Sequence, residues 1–259
     1  MRPAMQLEAA PAAPQSARGP RRSGSLKRER LSDQLIVELL ADIVSGLYPP
    51  GAPFASEGEM VERFSISRVV ARESLRMLGS INVIAAQQGR RAVVRPWTEW
   101  DLFSPLVAQA FQDAAPPHDL LVQLYDTRGI VEGGAAALSA LSSSVEQATR
   151  IQEIAVRLAD LSGRRVEAER FLTLDRAFHD AVAQAAGNAP LRALLETLFT
   201  LTRRQWSVGG IRLQRQTLPT VAAQHQAVAA AIAARDPLAA RRAMEEHIAW
   251  AKENDTGRR

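Results

Sequence analysis

From Leu31 onward, apolar residues recur three and four positions apart: Leu35, Ile36, Leu39, Leu40, Ile43 and Val44 share one helical face. Gly46 follows where a helix C-terminal cap belongs. The prolines and glycine of "YPPGAPF" interrupt the period and predict a loop. Ser56 followed by Glu59 is the signature of a capping box, opening a short helix over "EGEMVERF". A turn at Ser65–Ile66 leads to a third helix, "SRVVARESLRML", with Val70, Ala71, Leu75 and Leu78 facing inward and Asn82 as a left-handed cap. "VIAAQQGRRAVVR" then predicts two short strands around a Gln-Gly-Arg turn. Three helices and a hairpin within about 65 residues predict a winged helix-turn-helix, whose third helix enters the DNA major groove with its N-terminal residues leading.

The rest of the chain keeps the helical period. "PWTEWDLFSPLVAQAF" (Pro96–Phe111) predicts a connector helix, and "QDAAPPHDL" a break. Helices are then expected over 119–141, 144–162, 166–187, 190–209 and 212–234, the last with an alternative start at Thr220. A final helix opens at "RDP", with Asp236 as N-cap and Pro237 at the first helical position, and runs to about Lys252. No segment here alternates like a strand. The predicted fold class is therefore mainly α: a disordered basic tail (1–29), a winged helix-turn-helix (30–96), a connector helix and linker (97–117), an all-α domain (118–253) and a disordered end (254–259).

Composition adds constraints. The 46% apolar and 23% charged content over 259 residues is that of a soluble globular chain. The longest Ala-rich stretch, "AVAAAIAA" (Ala227–Ala234), is well short of the roughly 18 apolar residues of a membrane span. The N-terminus lacks the continuous apolar core of a secretory signal. Zero cysteines fit a reducing cytoplasm and leave only His and carboxylates to hold a metal. Net charge is +4, but residues 1–30 alone carry +5, and residues 60–96 hold seven arginines against Glu62 and Glu73. Such clustering is an electrostatic footprint for polyanions, with a solvated charged surface as the bland alternative.

Ser67, Arg68 and Arg72 stand at the start and on one face of the third helix, the arginines four apart and able to reach one DNA surface. Arginine offers a bidentate fork to guanine and also grips phosphate. Gly89 lets the wing tip approach a backbone, and Arg90 and Arg91 suit a minor groove or phosphate. "ASEGEMVERFSISRVVARESLRML" followed by "QQGRRAVV" resembles the winged helix of the GntR family of transcription regulators, matching it at Ser56, Glu57, Ser67, Arg68, Arg72, Glu73, Leu75 and Gly89. That resemblance implies DNA contact by Ser67, Arg68, Arg72 and the wing around Gln88 and Gly89. Two positions depart from the family: Gly58 replaces an arginine that touches DNA, and Val69 a frequent threonine. Arg63 or the basic tail is the expected compensation.

The second domain concentrates its chemistry in few residues. Asp175 and His179, four apart, flank the stripe Phe171, Leu174, Phe178 and Val182. His225 lies on the stripe Val221, Val228, Ile232, and His247 on that of Ala240, Met244, Ala251, while His118 falls in a Pro-Pro loop. A buried carboxylate is costly unless paired. Asp175, His179, His225 and His247 together make a credible site for a divalent ion, with zinc, nickel and manganese all open, though a single core histidine is usually just a hydrogen-bonded residue.

This domain resembles the FCD effector domain of the FadR-like GntR subfamily, a bundle of six or seven helices with D-x-x-x-H on one helix and single histidines on two later ones. "AAGNAPL" matches its Gly-Asn turn, and "EWDLFSPLVAQAF" the extra connector helix of a seven-helix branch whose members often sense sugar acids. The resemblance implies a metal whose open positions take an effector carboxylate. Arg128 in "LYDTRGIVEGGAAAL" is the implied clamp for it, unless it pairs with Glu132 on a wet surface. Gly133 and Gly134 are expected to leave room for that ligand, and Arg203 and Arg204 are weaker candidates for its wall.

The expected function is a homodimeric repressor or activator that binds operator DNA, with half-sites about 34 Å apart, and answers to a small carboxylate. Two alternatives differ in kind: a metal-dependent hydrolase or lyase with a DNA-binding appendage, for which no separate general base is evident, and a DNA-binding protein whose helical domain only dimerises.

Overall fold

A helix start needs partners for its first N–H groups, and two caps fix the N-terminal domain. Ser56 Oγ accepts from the Glu59 N–H, while Glu59 Oε2 accepts from the Ser56 N–H at 2.8 Å, closing the predicted capping box. The computed structural model describes residues 23–87, 89–113, 116–162, 168–207 and 217–256. Helix α1 (Ser23–Val44) precedes α2 (Glu57–Phe64) and α3 (Arg68–Ser80). Strands β1 (Ile84–Ala85) and β2 (Val93–Val94) pair antiparallel, Ile84 opposite Val94. Gly46 (φ 88°), Asn82 (φ 59°) and Gly89 (φ 68°) take the left-handed conformations expected at the two helix ends and the wing tip. Helix α1 starts at Ser23, earlier than the sequence reading places the end of the tail.

The connector differs from the single helix expected over 96–111. It divides into a 3-10 turn (Trp97–Glu99) and helix α4 (Pro105–Asp113). Trp100 Nε1 donates to the Arg95 carbonyl in the gap between them. Pro105 is the reason for the split, because it has no N–H and disfavours a helical residue before it.

Six helices follow: α5 (His118–Ser142), α6 (Val145–Ser162), α7 (Ala168–Ala185), α8 (Ala189–Ser207), α9 (Leu218–Ala233) and α10 (Pro237–Thr256). Asp236 Oδ1 caps α10 as predicted, accepting from Leu238 and Ala239 N–H. Helix α10 runs past Lys252 and includes residues assigned to a disordered end. Its last turns are held to α5, Tyr125 donating to Asp255 and Lys252 to Asp126.

Packing divides into two apolar clusters. One joins α1 to α3 and the wing to α4 and then to Leu195, Leu198, Phe199 and Leu201 of α8. The other fills the bundle between α5, α6, α7, α9 and α10. Helix α4 packs on both α1 and α8, so its Val107 and Phe111, fully buried, bridge the DNA-binding half to the bundle. Gly133 serves packing: a Cβ there would meet Glu245 Cγ of α10 at 2.8 Å, so the expected room for a ligand is filled on that side. Phe111→Ala is expected to lower the unfolding free energy by about 3–5 kcal/mol in urea titration; a loss below about 1 kcal/mol contradicts the bridging role.

Candidate metal centre and nucleic-acid interface

Helices α7, α9 and α10 bring Asp175, His179, His225 and His247 together from positions far apart in sequence. All four are buried, and one ligand atom from each lies within 4.8 Å of every other. The i, i+4 spacing stacks Asp175 and His179 on one face of α7, beside Phe178, whose ring meets that of His225 edge-on at 4.6 Å.

Each imidazole has an acceptor at Nδ1. His225 Nδ1 meets the Val221 carbonyl at 2.8 Å. His247 Nδ1 meets Gln224 Oε1 at 3.1 Å. His179 Nδ1 lies 2.5 Å from Glu132 Oε2; its ring is poorly aligned for a hydrogen bond, but the distance and the carboxylate's charge still place the proton on Nδ1. An acceptor beside Nδ1 fixes the neutral ring with its proton there and its lone pair on Nε2.

Those lone pairs then converge on acceptors. His179 Nε2 and His247 Nε2 face each other at 3.3 Å. His225 Nε2 faces Asp175 Oδ1 at 3.1 Å without a hydrogen bond between them. Two opposed acceptor pairs in an apolar interior repel unless a proton or a cation lies among them. Three Nε2 atoms and one carboxylate oxygen form a donor set for a borderline divalent ion, with the Nδ1 partners orienting the rings.

Arg128 and Glu132, four apart on α5, complete the wall. Arg128 Nε donates to Glu132 Oε1 at 2.7 Å, and both side chains are 2% exposed. The pair anticipated on a wet surface exists, but in the interior. Burial works against Glu132's ionisation, and the Arg128 guanidinium, with the His179 ring beside it, more than offsets it, holding its carboxyl at about 2. Burial opposes the ionisation of Asp175 too, yet its carboxyl is held below the usual carboxylate range, the Arg128 guanidinium being among the groups that favour its charge. Burial, with the neighbouring charge of Arg128, pushes His247 well below the usual histidine value. Phe199 of α8 covers the group, 5.0 Å from the Arg128 guanidinium and 5.5 Å from the His179 ring. Glu132 was missed as a site residue; its i+4 relation to Arg128 was the visible signal, and its distance from His179 in sequence hid the rest. The Arg203 and Arg204 side chains lie outside the described residues.

At the other end of the molecule, Ser67 is the N-cap of α3, its Oγ accepting from the Val70 N–H at 3.3 Å. Arg68, Arg72 and Arg90 are exposed, as is Gly89 at the wing tip, while Gln88 lies outside the described residues. Arg72 is held by Glu57, Nε to Oε1 at 2.9 Å and Nη2 to Oε2 at 3.1 Å. Arg91 reaches Glu59 at 2.6 Å. Arg63, the expected compensation for Gly58, pairs with Asp42 of α1 at 2.7 Å and lies over the Phe64 ring. Glu57 and Glu59, which hold Arg72 and Arg91, lie just before the arginine-rich segment 60–96.

Glu132→Ala, leaving Arg128 buried without its anion, is expected to cost about 3–5 kcal/mol, and Arg128→Met with Glu132→Leu to recover most of it. Urea unfolding of the single and double variants measures both; equal losses in the two contradict the pairing.

Residues 31–94 match the family of bacterial regulatory proteins of the gntR type, and residues 123–249 match the FCD domain. The chain is 29% identical over 222 residues to a galactonate operon transcriptional repressor of Escherichia coli, covering 84% of this chain and 93% of that protein. It is 28% identical over 216 residues to a Glc operon transcriptional activator of the same species, covering 82% of this chain and 84% of the relative. A solved structure described as Lar, which controls expression of the Listeria monocytogenes agr system, shares the fold with a TM-score of 0.58 at 16% identity, over 88% of this chain and 97% of that one. No helix among the described residues is long and apolar enough to cross a membrane. The winged helix, the helical bundle behind it and these matches make the chain a DNA-binding transcription regulator of the GntR family with an FCD effector domain.

Proposed function

We propose that the protein is a cytoplasmic, homodimeric regulator that senses a small carboxylate, of the sugar-acid class, through a divalent metal in its helical domain. The observation that carries this reading is the pair of opposed acceptors, His179 Nε2 with His247 Nε2 and His225 Nε2 with Asp175 Oδ1. Zinc, nickel or manganese held by Asp175, His179, His225 and His247 would supply a Lewis-acidic anchor for a carboxylate. Arg128 adds a buried guanidinium whose charge reaches Asp175 and His247. Its Nε donates to Glu132 Oε1, which holds the guanidinium against the wall of the cluster. The name of the galactonate operon relative, galactonate being a sugar acid, supports the choice of ligand class.

Ser67, Arg68, Arg72, Gly89 and Arg90 are read as the DNA-facing residues, with Gln88 beside them in the wing. Two copies would set two α3 helices on half-sites about one helical turn apart. The effector must favour one arrangement of the two halves, and about 1–3 kcal/mol of coupling suffices. A sensor holds its ligand, whereas an enzyme consumes it, and the relatives' role as operon regulators supports the sensor.

Thermal melting of the full chain, metal-loaded or chelator-stripped, against sugar acids, hydroxy acids, dicarboxylates and short fatty acids tests the reading. Metal should raise the melting temperature, and a sugar acid at about 100 times its Kd should add roughly 2.7 kcal/mol only when metal is present. His247→Leu should abolish both shifts. Ligand shifts that survive stripping would remove the metal from the effector site, and a chain that takes up no metal and melts unchanged when metal is added would remove the metal altogether.

A further inference from the structure

The two arginine–carboxylate pairs of the winged helix differ in form, and the difference bears on how DNA is read. Arg72 presents Nε and Nη2 to the two oxygens of Glu57 in parallel, at 2.9 and 3.1 Å. That side-on grip occupies two of the five guanidinium N–H groups. The three left over include one on each Nη that point forward together, the end-on fork that fits guanine O6 and N7. Arg91 instead gives a single Nη2 contact to Glu59, whose other oxygen is committed to Ser56. Arg68 and Arg90 make no ion pair with another described residue.

We propose that Glu57 is a specificity-determining residue that holds Arg72 with its forward fork presented to a guanine in the major groove. The inference rests on α3 being the helix that enters that groove. Glu57 is itself well anchored. It is the first residue of a helix whose capping box is closed on both sides, and Met60 of the same helix is fully buried. A carboxylate at a helix N-terminus is also favoured by the helix dipole. Arg72 and Glu57 each stabilise the other's charged form, Arg72 by hydrogen bonding to the carboxylate and Glu57 by accepting from the guanidinium. An arginine fixed before binding loses less freedom on docking, and its fork is aimed. Arg68 and Arg90, without an ion pair to another described residue, suit phosphate, where direction matters less. The face thus divides into one held reader, Arg72, and two arginines without a carboxylate partner among the described residues.

The simpler alternative is that Glu57 merely masks a positive charge and competes with DNA. The two differ in what removing the carboxylate does. Operators would be selected from random duplexes with the wild-type full chain. Binding would then be measured by fluorescence anisotropy on the selected duplex and on copies with single guanines replaced by 7-deazaguanine, which lacks N7. For wild type, one guanine per half-site should be sensitive, its replacement weakening binding about tenfold, within the range of a bidentate base contact. Arg72→Lys, which has no fork, should lose that sensitivity and so identify the guanine. Glu57→Gln should also lose it, to below twofold, while the slope of log affinity against log salt stays unchanged because no phosphate contact is removed. Glu57→Gln combined with Arg72→Lys should be no less discriminating than either alone. If Glu57→Gln keeps the full guanine penalty and tightens binding to every duplex, the carboxylate is a mask and the proposal fails. If Arg72→Lys leaves every guanine penalty intact, Arg72 does not read a base, which overturns the premise rather than the role of Glu57. Unchanged melting temperatures of the variants exclude misfolding as the cause.

Discussion

Buried polar atoms must find partners, and in the helical half of this protein that constraint shapes everything around it. Six ionisable side chains, Arg128, Glu132, Asp175, His179, His225 and His247, sit in one interior cluster. Arg128 and Glu132 satisfy each other, and Glu132 turns to His179. What remains is a set of acceptors facing acceptors. Apolar substitution at all six positions would have given an easier core, since replacing buried charges by packed hydrophobic residues is often neutral or stabilising. Their presence together marks the cluster as the candidate site of this half.

The same cluster touches the element that leads outward. Phe199 of α8 lies over Arg128 and beside His179, yet it belongs to the apolar core that runs through α4 to α1. One of the two apolar clusters therefore runs from the DNA-reading half into the effector half. Close-packed interiors transmit displacement, because side chains have few alternative places to go. At the far end, α2 carries Glu57 and Glu59, and these set the posture of Arg72 and Arg91.

Much of this was legible in the sequence, for identifiable reasons. Local rules reported local structure: the capping box at Ser56 and Glu59, the left-handed Asn82 and Gly46, and Asp236 as a cap all depend on residues a few positions apart. The four candidate ligands were legible because histidine is scarce in this chain and each lay on or beside an apolar stripe. What depended on tertiary approach was not. Helix periodicity does not say that Glu132 meets His179, or that Gly133 admits Glu245 and so closes the gap expected for a ligand. Nor does it say that Arg63 pairs with Asp42, a helix away. The connector read as one helix because its apolar period continues through Pro105, although proline's backbone cannot continue it.

The account turns on where the protons of the three buried histidines lie. Selective 15N labelling of the histidines, with long-range 1H–15N correlation spectra of the chelator-stripped chain before and after adding zinc, reads each ring directly. The rings of His179, His225 and His247 should carry the Nδ1 proton, and zinc should shift all three Nε2 resonances together at one equivalent per chain. Rings protonated at Nε2 that keep their tautomer and shifts when zinc is added would contradict the claim that these side chains form a metal site.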